Sequence, residues 1–279
     1  SWGWNEKGQG GNGVSERTAT PTLADGNRVW KKAVGGKAYG FFLAEDGSLW
    51  AAGTHEGGVQ GTNDGIDHKV LTRIGTDNDW ADMACSRFWG YSGFAIKTNG
   101  TLWAWGKNSA GQLGIGNTQA QTAPVQVGAD MDWKQVAAGC SSVLALKTDG
   151  SLWGWGFNMY SELFGHEGKQ LSPVRLGSET DWEQVVVIDF RAYAVKKDGT
   201  LWAWGDNANN LLGFNTPTEE ETTAEGNPVE VVTVPQITAP THVTSIEGKV
   251  LTISGCENTL SVATGTDGVI EKVWMLGSN

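Results

Sequence analysis

Apolar and polar residues alternate along this chain in short runs with a period of two. In Leu102-Trp103-Ala104-Trp105 the Leu and Ala fall on one side of an extended strand and the two Trp rings on the other. Thr98-Asn99-Gly100-Thr101 precedes it, and an apolar run precedes that. Asn-Gly or Asp-Gly between alternating runs is the strongest short hairpin signal; it predicts a type I′ turn with positive φ at both central residues. No stretch keeps a period of 3.6, so helix is expected to be nearly absent.

The hairpin phrase recurs. Asn99-Gly100-Thr101-Leu102-Trp103-Ala104-Trp105-Gly106 returns as Asp149-Gly150-Ser151-Leu152-Trp153-Gly154-Trp155-Gly156 and as Asp198-Gly199-Thr200-Leu201-Trp202-Ala203-Trp204-Gly205. Worn copies run from Asp46 to Gly53 and from Asp267 to Gly277. The closing glycines Gly3, Gly53, Gly106, Gly156, Gly205 and Gly277 are spaced by 50, 53, 50, 49 and 72 residues, so the last module carries an insertion.

Other landmarks keep step. A Pro-Val segment occurs at Pro124-Val125, Pro173-Val174 and Pro228-Val229, with weaker versions at Pro21 and Val70. An acidic turn ending in Trp follows: Asp77 to Trp80, Asp130 to Trp133, Glu179 to Trp182. Together these give four short strands per module of about fifty residues, which describes a propeller blade. Most of the 15 Trp hold fixed module positions and are expected to pack between blades. Trp2, Trp4 and Trp89 break phase and are better placed for exposed contact.

The phrase Asp-Gly-x-Leu-Trp-x-Trp-Gly-x-Asn, the following Gly111-Gln112-Leu113-Gly114, and Val136-Ala137-Ala138-Gly139 resemble the regulator of chromosome condensation repeat family, in its tryptophan-rich bacterial or phage form. The resemblance implies a seven-bladed β-propeller. Two departures stand out. Tyr39, Ser92, Ser142 and Arg191 occupy places where the family often carries His, and there are five periods instead of seven. The chain opens midway through a signature strand and ends just past the same phase. A closed ring of five, stitched by its N- and C-terminal strands, is therefore expected; a fragment of a larger propeller is the alternative. The repeats run approximately 3–52, 53–105, 106–155, 156–204 and 205–276, within one domain over 1–279.

Composition narrows the function. Net charge is −11 with no basic cluster, which argues against nucleic acid. No run is long enough to span a bilayer. Ser1 is not an initiator Met, so an upstream piece is expected to have been removed or to lie outside this sequence. Cys85, Cys140 and Cys256 share one module position and are expected to be unbonded. His55, His68, His166 and His242 are scattered, no nucleophile elbow or phosphate loop occurs, and no cofactor or enzymatic activity is expected.

The candidate binding residues follow from the repeat. Positions just after each Trp-Gly vary between modules (Trp4, Lys107, Phe157, Asp206) on a constant scaffold, as a recognition face requires. Phe157, Met159 and Tyr160 form the most adhesive tip. Asp79, Asp132 and Asp181 share a position and would form an acidic rim if they do not merely favour the turn. The excursion at 214–242, with Glu219, Glu220 and Glu221, is a long loop. Thr62 to Asp67 faintly resembles a calcium loop but reads better as a plain turn.

These features describe a non-enzymatic module that holds a macromolecule, most readily a protein, on one face; a surface or virion setting suits the composition. The resemblance also implies guanine nucleotide exchange on a small GTPase, for which only the 214–242 loop could serve as the wedge. Secreted inhibitors of β-lactamases resemble it too, and a glycan ligand is a further alternative. Photoreceptor members carry Gly-Trp-Arg-His-Thr, which is missing here, so light sensing is not expected.

Overall fold

A computed structural model describes residues 1, 3–87, 90–214, 220–222, 228–230, 236–256 and 259–277. The chain is a five-bladed, all-β propeller with two single-turn 3-10 segments as its only described helix. Blade one is β1 (Trp30–Gly35), β2 (Tyr39–Ala44), β3 (Leu49–Gly53) and β4 (His68–Arg73). Blade two is β5 (Trp80–Cys85), β6 (Ser92–Lys97), β7 (Leu102–Gly106) and β8 (Gln121–Gln126). Blade three is β9 (Trp133–Ala138), β10 (Ser142–Lys147), β11 (Leu152–Phe157) and β12 (Lys169–Arg175). Blade four begins with β13 (Trp182–Ile188), β14 (Arg191–Lys196) and β15 (Leu201–Asp206). A separate hairpin of β16 (Glu220–Thr222) and β17 (Pro228–Glu230) follows, before β18 (Gln236–His242) completes the blade. Blade five has three described strands: β19 (Val250–Cys256), β20 (Thr259–Thr266) and β21 (Val269–Gly277).

Two sequence expectations need correction. Pro228-Val229 is not the outer strand of blade four; it lies in the β16–β17 hairpin, while Ala203 pairs with Thr241 and Gly205 with Ile237. The true match is Ala239-Pro240-Thr241, which answers Ala123-Pro124-Val125 of β8. The insertion falls before the Pro, so counting forward from the signature picked the earlier one.

The hairpin turns also differ. Gly47, Gly100, Gly150 and Gly199 have φ between +78° and +86°, but the Asp or Asn before each does not have positive φ. The Gly47 N–H donates to Ala44 O and the Ala44 N–H to Ser48 O, each at 3.0 Å. This is a three-residue loop, a type I turn followed by a left-handed Gly. The Asp or Asn side chain holds it: Asp149 Oδ1 accepts from both the N–H and the hydroxyl of Ser151, and Asp46, Asn99 and Asp198 do the same two residues on. The expected I′ pattern appears at Asp267-Gly268, with φ of +49° and +79°.

Alternation along the third strand distributes side chains between neighbours. Trp103 and Trp105 pack toward blade one, Leu102 and Ala104 toward blade three. Four such interfaces are filled by buried clusters, joining blades one to two, two to three, three to four and four to five. Apolar burial at this scale is the main stabilising term. The first strands of all five blades line a central channel of about 460 Å³, with Val34, Met83, Val136, Val186 and Ile253 on its wall. The termini do not share a ladder among the described residues: Gly3 bridges Thr18, Asn12 bridges Val70, and β21 pairs with β20.

Candidate functional site

The antiparallel blade places its connections at two ends. The N–H groups of Thr54, Lys107, Phe157 and Asp206 donate to Ala38, Tyr91, Ser141 and Phe190 carbonyls at 2.9–3.0 Å. Loops between first and second strands therefore lie beside loops that leave the third, on what we term the loop face. The hairpins and acidic turns lie together at the other end, where the Trp80, Trp133 and Trp182 N–H groups reach the Gly47, Gly100 and Gly150 carbonyls.

The loop face carries Trp4, Lys107, Phe157, Met159, Tyr160 and Asp206, spread over the ring and not gathered in one pocket. Met159 is 47% exposed. Tyr160 packs on Phe190 with ring centroids 4.9 Å apart. Asp206 is partly spent on its own turn, accepting from the Ala208 N–H at 2.9 Å. Lys107 is half-buried. Trp4 is 60% exposed and, with Leu23, Trp30, Val34 and Phe42, lines a largely apolar cavity of about 670 Å³. Trp2 and Trp89 lie outside the described residues, as does Glu219; Glu220 and Glu221 are in β16.

Each loop is clamped from inside by the Asn after the signature. Asn108 Oδ1 accepts the Leu113 N–H at 2.9 Å, and its amide donates to the Asn117 and Gln119 carbonyls. Asn5, Asn158 and Asn207 make matching bonds. The loop tips are thus held firmly, although they contain no regular structure.

The acidic residues do something the sequence did not disclose. Lys147 Nζ sits 5.0 Å from the Trp133 ring centre and 4.5 Å from that of Trp153, and bridges Asp130 at 2.8 Å and Asp132 at 3.0 Å. Lys97 repeats this with Trp80, Trp103, Asp77 and Asp79, and Lys196 with Trp182, Trp202, Glu179 and Asp181. Burial alone would depress the Lys97 and Lys147 ammonium pKa, but the paired carboxylates outweigh it and raise it. Asp79, Asp132 and Asp181 therefore form cation cages, each leaving one uncompensated negative charge. The signal was present, since each Lys ends the second strand in phase with the repeat.

Glu162 was also missed. It stands where blade two has Gln112 and is fully buried. Its carboxylate accepts the Tyr160 N–H at 2.8 Å and lies 3.3 Å from Ser142 Oγ. Burial pushes its pKa up to about 7, against the pull of those N–H donors.

Cys85 is buried, its thiol pushed up to about 12 by burial, and neither it nor Cys140 forms a disulfide. The Thr62–Asp67 turn is a turn: Asp64 accepts from Thr62 and the Ile66 N–H and meets His68, while Asp67 accepts from His55. No cluster of metal-ligating side chains occurs among the described residues. No described helix is long and apolar enough to cross a membrane.

Residues 99–146 match the regulator of chromosome condensation (RCC1) repeat. The ultraviolet-B receptor UVR8 of Arabidopsis thaliana is 30% identical over 142 residues, which is 50% of this chain and 32% of the receptor. Among solved structures, human WBSCR16 superposes with a TM-score of 0.69 at 17% identity, over 89% of this chain and 67% of that one. Prp20p of Saccharomyces cerevisiae, characterised for its binding to Gsp1p and histones, gives a TM-score of 0.70 at 18% identity, over 94% of this chain and 60% of that one. The likeness to these two structures is one of fold, and the chain spans about a third of the receptor it matches.

Proposed function

We propose that this chain, a β-propeller built of RCC1 repeats, is a non-enzymatic recognition module that holds a protein partner on its loop face. The observation that carries this reading is the tip of blade three. Phe157, Met159 and Tyr160 project from a loop clamped by Asn158, and Tyr160 is braced on Phe190 of the next blade. Ordered loops bearing aromatic and Met side chains match the make-up of interface cores. The neighbouring tips offer a cation at Lys107 and an anion at Asp206, which supply direction.

The test compares three proteins in quantitative partner capture: the wild type, a Phe157→Ala/Met159→Ala variant, and Met131→Ala. Met131 is 61% exposed at the opposite end of the ring, so it controls for non-specific stickiness. Species lost with the tip variant and kept with Met131→Ala support the reading; equal capture by all three refutes it.

Likeness to Prp20p, which binds Gsp1p, supports a second reading as a nucleotide exchange factor. That activity would be read as faster nucleotide release from a small GTPase and would depend on the 214–242 excursion. Loss of tryptophan fluorescence on a glycan panel would favour a sugar ligand instead.

A further inference from the structure

The last blade ends on an open edge. β21 pairs with β20 and has no described partner on its other side. Aligning Gly277 with the closing glycine of each module places Val273 where Leu49, Leu102, Leu152 and Leu201 stand, and Met275 where Ala51, Ala104, Gly154 and Ala203 stand. Those four leucines are at most 1% exposed, whereas Val273 is 64% and Met275 63% exposed. A long apolar edge of this kind invites a strand.

The N-terminal segment is half of an outer blade. Gly3 pairs with Thr18, and Ser1 and Thr22 exchange main-chain bonds of 2.6 and 2.8 Å. That is the register of a third strand on a fourth: Gly106 on Gln121 and Ala104 on Val125, or Gly205 on Ile237 and Ala203 on Thr241. Residues 1–3 thus stand in for a third strand, and 18–24 form the fourth, with Pro21 in phase with Pro124 and Pro240. The intervening loop abuts blade one as other such loops abut the next blade: Gly8 and Gly11 face Lys69 and Leu71 of β4, as Gly58 faces Thr122 of β8 and Gly111 faces Leu171 of β12. Residues 18–24 therefore lie where the blade preceding blade one must present its outer strand. In a ring of five, that blade is the fifth.

We propose that Ser1–Gly3 and β21 compete for the strand Thr18–Ala24, and that its transfer to β21 closes the ring. The register is Thr18 opposite Gly277 and Thr22 opposite Met275. Val273 and Met275 then turn toward Trp30 and Phe42, which line the apolar cavity on blade one, and the fifth interface fills as the other four do.

The transfer is tested by mild oxidation of a Thr22→Cys/Met275→Cys chain, with Thr22→Cys/Val269→Cys as an off-register control. All three positions are exposed, so the substitutions spare the core. Paired residues across antiparallel strands fall within disulfide reach, so the monomer should yield the 22–275 cross-linked peptide about tenfold over the control. Deleting Ser1–Gly3 should raise that yield further. Equal yields from the two pairs, no cross-link, or a bond found only between two molecules, which would mean that the edge takes a second copy, overturns the proposal.

Discussion

The indole N–H of Trp155 donates a 2.8 Å hydrogen bond to the Gln112 carbonyl of the preceding blade. Trp105 reaches Val59 and Trp204 reaches Glu162 in the same way, also at 2.8 Å. The first Trp of each signature serves its own hairpin: Trp153 Nε1 bonds Ser151 Oγ at 2.9 Å. The two tryptophans of the phrase therefore have separate duties. Trp155→Phe should cost about 2–4 kcal/mol, from a buried carbonyl left unpaired and a cavity. Trp153→Phe should cost about 0.5–1.5 kcal/mol, since the ring is half-buried and the lost bond is local. Denaturant unfolding of the two variants side by side checks the order.

The lysine cage gives a second expectation. Lys147→Met keeps the hydrophobic stem between Trp133 and Trp153 but removes the cation. Asp130 and Asp132 are then left facing each other over two indole faces. Both carboxylates are about half exposed, so water screens part of the loss. A destabilisation of about 1–2 kcal/mol is expected. Added salt should shrink the difference between wild type and variant, as thermal melts at two ionic strengths would show.

Glu162 makes stability depend on pH. Its folded pKa is raised to about 7 from an unfolded value in the ordinary carboxylate range. Burial thus favours the protonated form. Stability from this site is full below the unfolded pKa and falls as pH rises toward about 7, reaching its low plateau above it. Glu162→Gln keeps the shape without the charge and copies Gln112 of blade two. It should raise stability at pH 8 by about 2–3 kcal/mol and leave it little changed at pH 4. A melting profile from pH 4 to 8 that stays parallel to wild type would contradict this.

Much of the fold was legible because each repeat signals it locally. Asp-Gly between alternating runs announced the hairpins, and fixed-phase Trp announced packing between blades. The turn type was not legible, because the Asp149 to Ser151 bond, not the Asp-Gly pair alone, decides the backbone at Asp149. The outer strand of blade four was missed because two Pro segments, Pro228 and Pro240, lie within one connection. Candidate tip residues such as Met159 could be picked by their variation. The Lys147 cage and buried Glu162 could not, since both depend on which neighbour faces them across a blade boundary.

Gly150 has φ of +86°, and a Cβ there would run into the Thr180 carbonyl of the adjoining acidic turn. Gly150→Ala therefore meets both a left-handed backbone and a collision. It should destabilise by about 2–4 kcal/mol, against about 1 kcal/mol for Asp149→Ala, which only removes the turn's side-chain bonds. Gly165, also left-handed with φ of +78°, has open space around its Cβ. Gly165→Ala should cost only the backbone term, about 1 kcal/mol. The three variants, compared by chemical denaturation, separate strain from collision.

Asn158 tests whether the blade-three tip works because it is pre-set. Its Oδ1 accepts the Leu163 N–H at 3.0 Å, and its amide donates to the His166 carbonyl at 2.6 Å. Asn158→Ala removes both bonds without touching Phe157, Met159 or Tyr160. Global stability should drop by about 1–2 kcal/mol, because two loop groups lose their partner. Amide exchange across 158–166 should accelerate while β10 and β11 stay protected. If ordered presentation matters, partner capture should weaken in Asn158→Ala even though every tip side chain remains, since binding must then also order the loop. Capture equal to wild type alongside faster exchange would show that the tip binds through its side chains regardless of how firmly the loop is held.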